Sequence, residues 1–468
     1  MIFNKTKIIA TVGPSCSTVP QLNKMIFAGV NAFRVNMSHG SLAEKEQLIK
    51  LVKQLKMKNG ARPCIIADLA GPKIRVKGVY PDFKLKSGQK VNICSSGTPD
   101  ANTVIITQGI MFSKIEKGAG IKINDGRIQL TVVKKLSPTQ LECKTIIGGT
   151  IQKGKGVNFP GILLKLPTLT AQDVDDLKLA IREDVDWIAL SFVRAAKDKR
   201  KIDRILKKAK VNIPVIAKIE KWEALQDLEA IITEFDAVMV ARGDLGVETP
   251  PEQVPLAQKK IIKQANQKGK PVIIATQMLE SMISAPVPTR AEVSDIANAI
   301  FDGADALMVT GETASGDYPV DVIKVLSKVV FETEQTIDFN TIRQSTGRKN
   351  TADAISHATC QVAQDLSAGC IVTMTHSGST ALMISRYRPS VPVVALTPIA
   401  STCRKLSIVW GISPLTIEEY QSADDIPKIA EKTLKNKKLI KSGKRYVITG
   451  GIPIGVPGTT NYLTILKV

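Results

Sequence analysis

The chain has 468 residues, of which 44% are hydrophobic, 23% charged and 4% aromatic, a composition that excludes a disordered protein, a collagen-like repeat and a disulfide scaffold. At about 150 residues per domain, this length predicts about three domains. The 64 Lys and Arg against 43 Asp and Glu give a net charge of +21. Such an excess points to nucleic acid, an anionic membrane surface or phosphorylated small molecules as partners.

The apolar stretches and the cysteines of the chain indicate the cellular compartment in which the protein is expected. No stretch approaches the roughly 20 apolar residues of a membrane-spanning helix. The N-terminus lacks the apolar core of a signal peptide, so we expect a cytoplasmic protein without membrane contact. Seven cysteines without a C-x-x-C pair predict free thiols in a reducing compartment. Three histidines without metal-ligand spacing argue against a zinc site.

Short β-rich apolar runs alternate with amphipathic helical stretches along most of the chain. The predicted strands are Ile8–Val12, Ala32–Met37, Cys64–Leu69, Trp187–Phe192, Val215–Ile219, Ala237–Ala241, Val272–Thr276 and Ala306–Val309. The predicted helices between them include Leu42–Lys58, Glu223–Thr233, Gln253–Gln267 and Ala291–Phe301. Near-continuous apolar strands followed by helices indicate an α/β protein with a parallel sheet, and eight such units favour a closed (β/α)8 TIM barrel.

Residues 71–164 interrupt the barrel pattern with short strand-like segments separated by turn residues, which predicts a small inserted β-barrel domain, here called the lid. The catalytic barrel then comprises residues 1–70 and 165–342, with a polar linker at Thr341–Asn350. A C-terminal α/β domain is predicted for residues 343–468. The lid carries 15 Lys and Arg against 5 Asp and Glu, and the C-terminal domain carries 16 against 7. Nearly all the excess positive charge therefore lies outside the barrel.

Polar residues lie at or just after the carboxyl ends of the predicted strands, where a (β/α)8 barrel carries its active site. They include Arg34, Asn36, Ser38, His39, Asp68, Lys73, Arg75, Lys218, Glu220, Arg242, Asp244, Thr276 and Thr310. Glu220 and Asp244 offer the hard oxygen ligands that Mg²⁺ or Mn²⁺ prefers. Lys218 and the arginines supply positive charge for a phosphoryl group. The strand ends therefore predict a phosphorylated or multiply anionic substrate held on a metal.

A loop in the C-terminal domain carries a second anion-binding pattern. A predicted strand is followed by small hydroxyl residues and glycine, and then by a helix: Thr375, His376, Ser377, Gly378, Ser379 and Thr380. Amides and hydroxyls at a helix N-terminus can bind a phosphate, but the same residues also make an ordinary helix cap. The residues alone leave both interpretations open.

Longer motifs point to a family. The chain contains, in order, ATVGPS, FRVNMSHG, DLAGPKIR, AKIEK, VMVARGDLGVE, IIATQMLESM, PTRAEVSDIANAIFDGADALMVTGETASGDYP and SGST. In this order, and over essentially the whole chain, they resemble the pyruvate kinases of bacterial type. The resemblance implies transfer of the phosphoryl group of phosphoenolpyruvate to ADP, giving pyruvate and ATP, the last step of glycolysis.

The resemblance implies roles for the residues that bind substrate and metal. Lys218 would stabilise charge on the transferring phosphoryl group, and Arg34 would contact phosphate. Glu220 and Asp244 would bind the divalent ion, Mg²⁺ or Mn²⁺. The backbone at Gly243 and Asp244 would bind the carboxylate end of the substrate.

The resemblance also implies residues for proton transfer and nucleotide binding. Thr276 would lie beside the enolate and help deliver the proton that makes pyruvate. Thr310 stands where a serine is common and keeps its hydroxyl, and with it a role in proton relay. The nucleotide side would comprise Asn36, His39, Arg75 and Lys155. Of these, His39 is expected to support the loop rather than act as an acid or base.

Two positions depart from the family pattern. Many members have Glu within G-P-E-I-R and require K⁺, whose site here corresponds to Asn36, Ser38, Asp68 and Leu69. This chain has Lys73 instead, and a lysine ammonium can take the electrostatic role of K⁺. The resemblance thus implies the K⁺-independent subgroup. At Ser315 some relatives have a lysine that contacts nucleotide, so one ADP contact differs.

The resemblance favours an effector site over a simple cap at Thr375–Thr380, because the family binds a sugar phosphate at that loop. The facing loop, Gly450–Gly458, lacks the Arg and Trp that hold a second phosphate in relatives that respond to fructose bisphosphate. We therefore expect a monophosphate activator, AMP or a sugar monophosphate. A homotetramer is the family expectation.

Two other functions stay open. A metal-dependent lyase acting on phosphoenolpyruvate or a 2-oxo acid could use the same K-x-E…D residues, although it would need no lid to clamp ADP. A nucleic-acid-binding protein would account for the charge of +21. Such proteins usually combine basic surface with stacking aromatics or a recognition motif, and this chain shows neither, so we expect no nucleic-acid partner.

Overall fold

The first strands of the chain build one side of a parallel barrel. In this computed structural model, residues 4–81, 83–107, 109–338, 350–456 and 458–468 are described, so most of the predicted linker at Thr341–Asn350 lies outside the described residues. The first barrel elements are β1 (Lys7–Val12), α1 (Val19–Ala28), β2 (Ala32–Asn36), α2 (Leu42–Lys53) and β3 (Cys64–Asp68). Among the described helices, none is long and apolar enough to cross a membrane.

After β3 the chain leaves the barrel and forms the lid. Its strands are β4 (Val76–Gly78), β5 (Lys84–Leu85), β6 (Lys90–Cys94), β7 (Thr103–Ile106), β8 (Gly120–Ile123), β9 (Ile128–Ser137), β10 (Gln140–Ile147), β11 (Gly149–Thr150) and β12 (Val157–Asn158). Seven of them form one sheet in the order β12-β8-β9-β10-β6-β7-β4, and β5 pairs with β11. Alternating buried apolar residues give the lid a core of its own, which includes Phe112 and Phe159.

The chain then returns to the barrel. The elements are α3 (Ala171–Arg182), β13 (Trp187–Leu190), α4 (Lys199–Lys208), β14 (Val215–Ile219), α5 (Trp222–Gln226), α6 (Leu228–Glu234), β15 (Ala237–Ala241), α7 (Arg242–Glu248), α8 (Val254–Lys268), β16 (Val272–Ala275), α9 (Arg290–Phe301), β17 (Ala306–Val309), α10 (Gly311–Ala314) and α11 (Pro319–Thr336). The eight barrel strands close in the order β1-β2-β3-β13-β14-β15-β16-β17, with β17 paired to β1. The predicted TIM barrel is confirmed.

The C-terminal domain is a separate five-stranded sheet with helices. Its elements are α12 (Thr351–Asp365), β18 (Ile371–Met374), α13 (Ser379–Arg386), β19 (Val393–Thr397), α14 (Ala400–Lys405), β20 (Ile412–Thr416), α15 (Ile426–Asn436), β21 (Arg445–Gly451) and β22 (Thr460–Lys467). The strand order is β20-β19-β18-β21-β22, with β22 antiparallel to its neighbour. The α/β architecture predicted for this region is confirmed.

Local chemistry sets several helix starts. A hydroxyl residue and an acidic residue three positions later form reciprocal capping boxes at α2 (Ser41 and Glu44) and at α9 (Thr289 and Glu292). Such pairs satisfy backbone N–H groups that the first helical turn leaves without partners. The sequence pattern and the helix boundary therefore agree at these positions.

The predicted boundaries fail where a side chain or an unusual backbone angle ends an element. The helix predicted at Glu223–Thr233 is two helices, because Asp227 leaves helical geometry and accepts a hydrogen bond from the Ala196 N–H at 2.8 Å. Four barrel strands, β2, β3, β13 and β16, end one or two residues before the predicted end. In β13 and β16 the predicted last residues, Phe192 and Thr276, have positive φ, 55° and 70°, which is incompatible with a strand. These turns occur at the carboxyl end of the barrel, where the polar residues lie.

The C-terminal domain packs against the amino end of the barrel through buried charges. Arg404 of α14 binds Asp186, which directly precedes β13, at 2.7 Å. Arg388 binds Asp305, which precedes β17, at 3.2 Å. Asp186 also pairs with Arg62 at 3.0 Å. The opposite end of the barrel is thereby left to the lid and the site.

All seven cysteines lie within the described residues, are buried and form no disulfide with one another. The thiols of Cys143 and Cys370 have pKa values raised to about 12 by burial. The prediction of free thiols is confirmed.

Candidate active site

A buried ion-pair network forms the centre of the candidate site. The Lys218 ammonium, from β14, lies 3.1 Å from Asp68 Oδ1 and 3.0 Å from Glu220 Oε1. Asp68 Oδ2 also accepts a hydrogen bond from Arg34 Nε at 2.7 Å. These four residues come from β2, β3 and the end of β14, which are separated in the sequence but converge at one end of the barrel.

Burial and neighbouring charges have opposite effects on the pKa values of Lys218 and Asp68 in this network. Burial opposes the charged form of Lys218, but the carboxylates of Asp68 and Glu220 outweigh burial and raise its pKa. Burial likewise opposes ionisation of Asp68, but Lys218 and Arg34 outweigh it and lower the pKa of Asp68. The pKa of Glu220 is raised by burial and then by repulsion from Asp244 and Asp68, because the Lys218 ammonium is shared between two carboxylates.

Ser191 is a member of this network that sequence reasoning missed. Its hydroxyl accepts a hydrogen bond from Lys218 Nζ at 2.8 Å and donates one to the Leu69 carbonyl at 2.7 Å. The neighbouring Phe192 N–H binds Glu220 Oε2 at 2.8 Å. The predicted strand Trp187–Phe192 includes Ser191, whereas β13 ends at Leu190, so only a correct strand end would have placed Ser191 among the strand-end residues.

Asp244 lies on the first turn of α7, which directly follows β15, close to the network. Its carboxylate repels Glu220 strongly enough to contribute to the raised pKa of that residue. Its Oδ1 accepts a contact from Lys73 Nζ at 2.7 Å. The structure thus places Lys73 beside Asp244, while Asp68 takes its cations from Arg34 and Lys218.

The residue types of this cluster fit a divalent ion. Within the described chain, no group of three or more His, Cys, Asp or Glu side chains is arranged to hold a metal by itself. Two carboxylates are what a Mg²⁺ site uses when water and substrate phosphate supply its other ligands. Repulsion between Glu220 and Asp244 is the electrostatic condition that a bound cation would relieve.

The hydroxyls of the two threonines are held by different partners. Thr276 Oγ1 accepts the Gly243 N–H at 2.8 Å and donates to the Ala275 carbonyl at 2.5 Å. Arg242 fixes the same turn by donating to the Thr276 carbonyl at 2.7 Å. Thr310 Oγ1 donates to the fully buried Glu312 at 3.2 Å. Glu312 was not among the predicted site residues.

The residues predicted for the nucleotide side occupy two places. Asn36 Nδ2 lies 3.3 Å from His39 Nδ1, and Asn36 Oδ1 accepts a hydrogen bond from the Ser38 N–H at 3.1 Å. In the lid, Arg75 donates to the Gly154 carbonyl at 3.0 Å, which places it beside Lys155. Ser315 is exposed and donates to the Gly311 carbonyl.

The loop Thr375–Thr380 lines a pocket in the C-terminal domain, apart from the barrel site. The described residues that line it are glycines, hydroxyl residues, Met374, Val456, His376 and Tyr420, without a lysine or arginine. His376 Nε2 lies 3.0 Å from Glu419, and its ring lies 5.6 Å from that of Tyr420. Of the facing loop Gly450–Gly458, position 457 lies outside the described residues.

Comparison with known proteins gives a consistent result. The family model for the barrel domain of pyruvate kinase matches residues 3–323, and the model for the alpha/beta domain of pyruvate kinase matches residues 353–466. Pyruvate kinase of Thermotoga maritima is 44% identical over 471 residues, covering 100% of both chains. Pyruvate kinase 2 of Synechocystis is 40% identical over 98% of this chain and 79% of its own.

A solved structure agrees with the sequence relatives. The crystal structure of a pyruvate kinase from Cryptosporidium parvum superimposes with a TM-score of 0.93 at 32% identity, and covers 99% of this chain and 96% of that chain. The similarity therefore extends over the barrel, the lid and the C-terminal domain.

Proposed function

Because this chain belongs to the pyruvate kinase family and is a phosphotransferase, we propose that it transfers the phosphoryl group of phosphoenolpyruvate to ADP on a divalent ion held by Glu220 and Asp244. The observation that carries this proposal is the Lys218 ammonium held between Asp68 and Glu220 at the carboxyl end of the barrel. A buried cation at this place can offset the charge of a phosphoryl group during its transfer.

In the proposed reaction the bond from phosphorus to the enol oxygen breaks, and a bond from phosphorus to a terminal oxygen of ADP forms. Lys218 and Arg34 bind the phosphoryl oxygens, and Ser191 holds the Lys218 ammonium in place. The ion, Mg²⁺ or Mn²⁺, would polarise the phosphoryl group when bound. The enolate that remains takes a proton at carbon to give pyruvate.

The two threonines have separate tasks in this proposal. Thr276 lies next to Gly243, the residue expected to bind the substrate carboxylate with Asp244, so its hydroxyl lies close to the enolate. Thr310 rests on Glu312, a buried carboxylate that can hold a proton-relay hydroxyl in a fixed orientation. Both groups position or carry the proton and leave phosphoryl transfer to the charged residues.

A coupled assay for pyruvate formation tests the proposed reaction. Pyruvate should appear only with ADP, phosphoenolpyruvate and Mg²⁺ or Mn²⁺ all present, and Glu220→Ala should abolish it with the circular dichroism spectrum unchanged. Pyruvate formed without ADP would favour the lyase. Tight, salt-sensitive binding of nucleic acid by a chain that is inactive in this assay would favour a nucleic-acid-binding protein.

The activity should barely depend on K⁺. Asp68, one of the residues equivalent to a K⁺ site, already has two cationic partners, and Lys73 adds an ammonium to the same end of the barrel, beside Asp244. With KCl replaced by the chloride of a bulky organic cation at constant ionic strength, we expect a change within about twofold, the scale of exposed charge interactions. A large activation by K⁺ would refute this.

The C-terminal pocket is the proposed site of a phosphorylated activator. Its described lining includes the hydroxyl residues Thr375, Ser377, Ser379 and Thr380 and has no lysine or arginine to bind a second phosphate. AMP or a sugar monophosphate should therefore shift the saturation curve for phosphoenolpyruvate. Identical curves with and without a panel of these compounds would refute the proposal.

Assembly and location follow the family expectation. We propose a homotetramer in the cytoplasm. Light scattering on the purified protein tests the assembly, and a monomer would contradict it.

A further inference from the structure

One ion pair joins the lid to a carboxylate of the proposed metal site. Lys73 lies five residues after the end of β3, at the start of the lid, and its Nζ lies 2.7 Å from Asp244 Oδ1. The two side chains are 24% and 26% exposed, so the contact lies at the mouth of the site rather than in its floor. The partners are 171 residues apart in the sequence.

Neighbouring groups keep the Lys73 side chain on Asp244. A Cβ added at Gly156 would approach Lys73 Cε to 3.1 Å, so the lysine stem lies against the backbone of the lid next to β12. The ammonium also lies 5.8 Å from the centre of the Phe192 ring. A stem packed on one side and a ring on the other limit the positions the ammonium can take.

An ammonium and a divalent ion that draw on one carboxylate oppose each other, because each weakens the field available to the other and the two cations repel. We propose that Lys73 competes with the divalent ion for Asp244, an inference that rests on the metal site of the proposed function. Lys73 is then a tethered cation that keeps metal affinity below the value that Glu220 and Asp244 would give alone.

The same contact links metal binding to the lid. At the other end of α7, lid residue Asn158 donates to the buried Glu248 at 2.6 Å, and Lys122 donates to the Val247 carbonyl at 2.8 Å. These two contacts do not involve Asp244. A metal that displaced Lys73 from Asp244 would remove the contact of the lid at the substrate end of α7, while the contacts with Glu248 and Val247 would remain.

Binding of Mn²⁺ to the full chain without substrate tests the proposal, with free Mn²⁺ measured by electron paramagnetic resonance. Lys73→Met should bind Mn²⁺ about fivefold more tightly than the natural chain, the scale of a partly exposed ion pair. Lys73→Arg keeps the charge and should bind within about twofold of the natural chain. If Lys73→Met is unfolded by circular dichroism, Lys73→Gln takes its place.

Two lysines provide matched controls. Lys122→Met removes another contact of the lid with α7, and Lys221→Met removes a charge that lies 5.9 Å from the same Phe192 ring but pairs with Glu248. Neither should tighten Mn²⁺ binding by more than about twofold. Unchanged or weaker binding by Lys73→Met would overturn the proposal. Equal tightening by either control would also overturn it, since any lost contact or charge would then suffice.

A variant of the metal ligand separates this proposal from the proposed function. Asp244→Asn should lose Mn²⁺ binding, and adding Lys73→Met should not restore it. If Asp244→Asn binds Mn²⁺ like the natural chain, the metal site itself is wrong. If Asp244→Asn loses binding but Lys73→Met changes nothing, the site stands and the competition is refuted.

Discussion

The two ends of the barrel both contain buried ion pairs, but they use them differently. At the amino end, Asp186 is bound by Arg62, Arg404 and the Ile65 N–H, which offset part of the burial that raises its pKa. At the carboxyl end, Lys218 is shared by two carboxylates, and Glu220 faces a third in Asp244. The amino end pairs one carboxylate with two arginines and connects domains. The carboxyl end keeps an imbalance that a cation and an anionic substrate can resolve.

The largest effect expected from this contrast is on catalysis. Lys218→Met should lower kcat by about 10³-fold, because the transferring phosphoryl group loses a preorganised cation. The matched control is Lys45→Met, which breaks a buried pair with Asp176 between α2 and α3 and should cost stability with kcat largely kept. The coupled assay measures both. A Lys218→Met enzyme with more than about a tenth of natural kcat would contradict the assignment.

The next effect is on stability, at the amino end. Asp186→Asn should cost about 3 kcal/mol of unfolding free energy, because two arginines lose a buried counter-charge. Asp184 binds the same two arginines but is 72% exposed, so Asp184→Asn should cost less than about 1 kcal/mol. Urea denaturation of the two variants measures the difference. Equal losses would show that burial does not separate the two carboxylates.

A smaller effect on kcat is expected for Ser191, an uncharged residue that positions Lys218 in the network at the carboxyl end. Ser191→Ala should lower kcat about tenfold, because Lys218 loses a hydrogen-bond partner that fixes its ammonium. Ser95 is an equally buried serine of the lid that donates to the Ile110 carbonyl, and Ser95→Ala should leave kcat unchanged. Unchanged kcat in Ser191→Ala would remove Ser191 from the site.

The smallest effect is a pH dependence at the amino end. Burial lowers the pKa of Lys7, which donates to the Ile412 carbonyl, to about 8. The folded chain releases this proton near pH 8 while the unfolded chain holds it until about 10.5, so stability should rise with pH in that window. Relative to Lys7→Met, the natural chain should gain about 1 kcal/mol between about pH 8 and 9 in urea denaturation. A constant difference would contradict the shift.

The sequence predicted what depends on local pattern. The eight barrel strands are runs of apolar residues, and their order along the chain fixes a barrel once helices separate them. The lid could also be predicted from local pattern, because its short strands are separated by turn residues. Because a (β/α)8 barrel carries its active site at the carboxyl ends of its strands, the sequence also predicted that Lys218, Glu220 and Asp244 lie in one site.

The rest depends on contacts between distant residues. Lys73 and Asp244 are 171 residues apart in the sequence, so no local pattern encodes the pair. The break at Asp227 arises because its side chain serves a backbone N–H from another loop, at Ala196. Ser191 was missed for a different reason, since the predicted strand Trp187–Phe192 includes it, whereas β13 ends at Leu190.

The seven buried cysteines have a practical consequence. A thiol with its pKa raised by burial is seldom a thiolate and is screened from reagents, so the native enzyme should be nearly inert to maleimides. A cysteine introduced at the exposed Lys153 of the lid would then be labelled alone. A single fluorophore at that position would make the lid visible in solution, and its response to Mn²⁺ and ADP could be followed without removing any natural residue of the core.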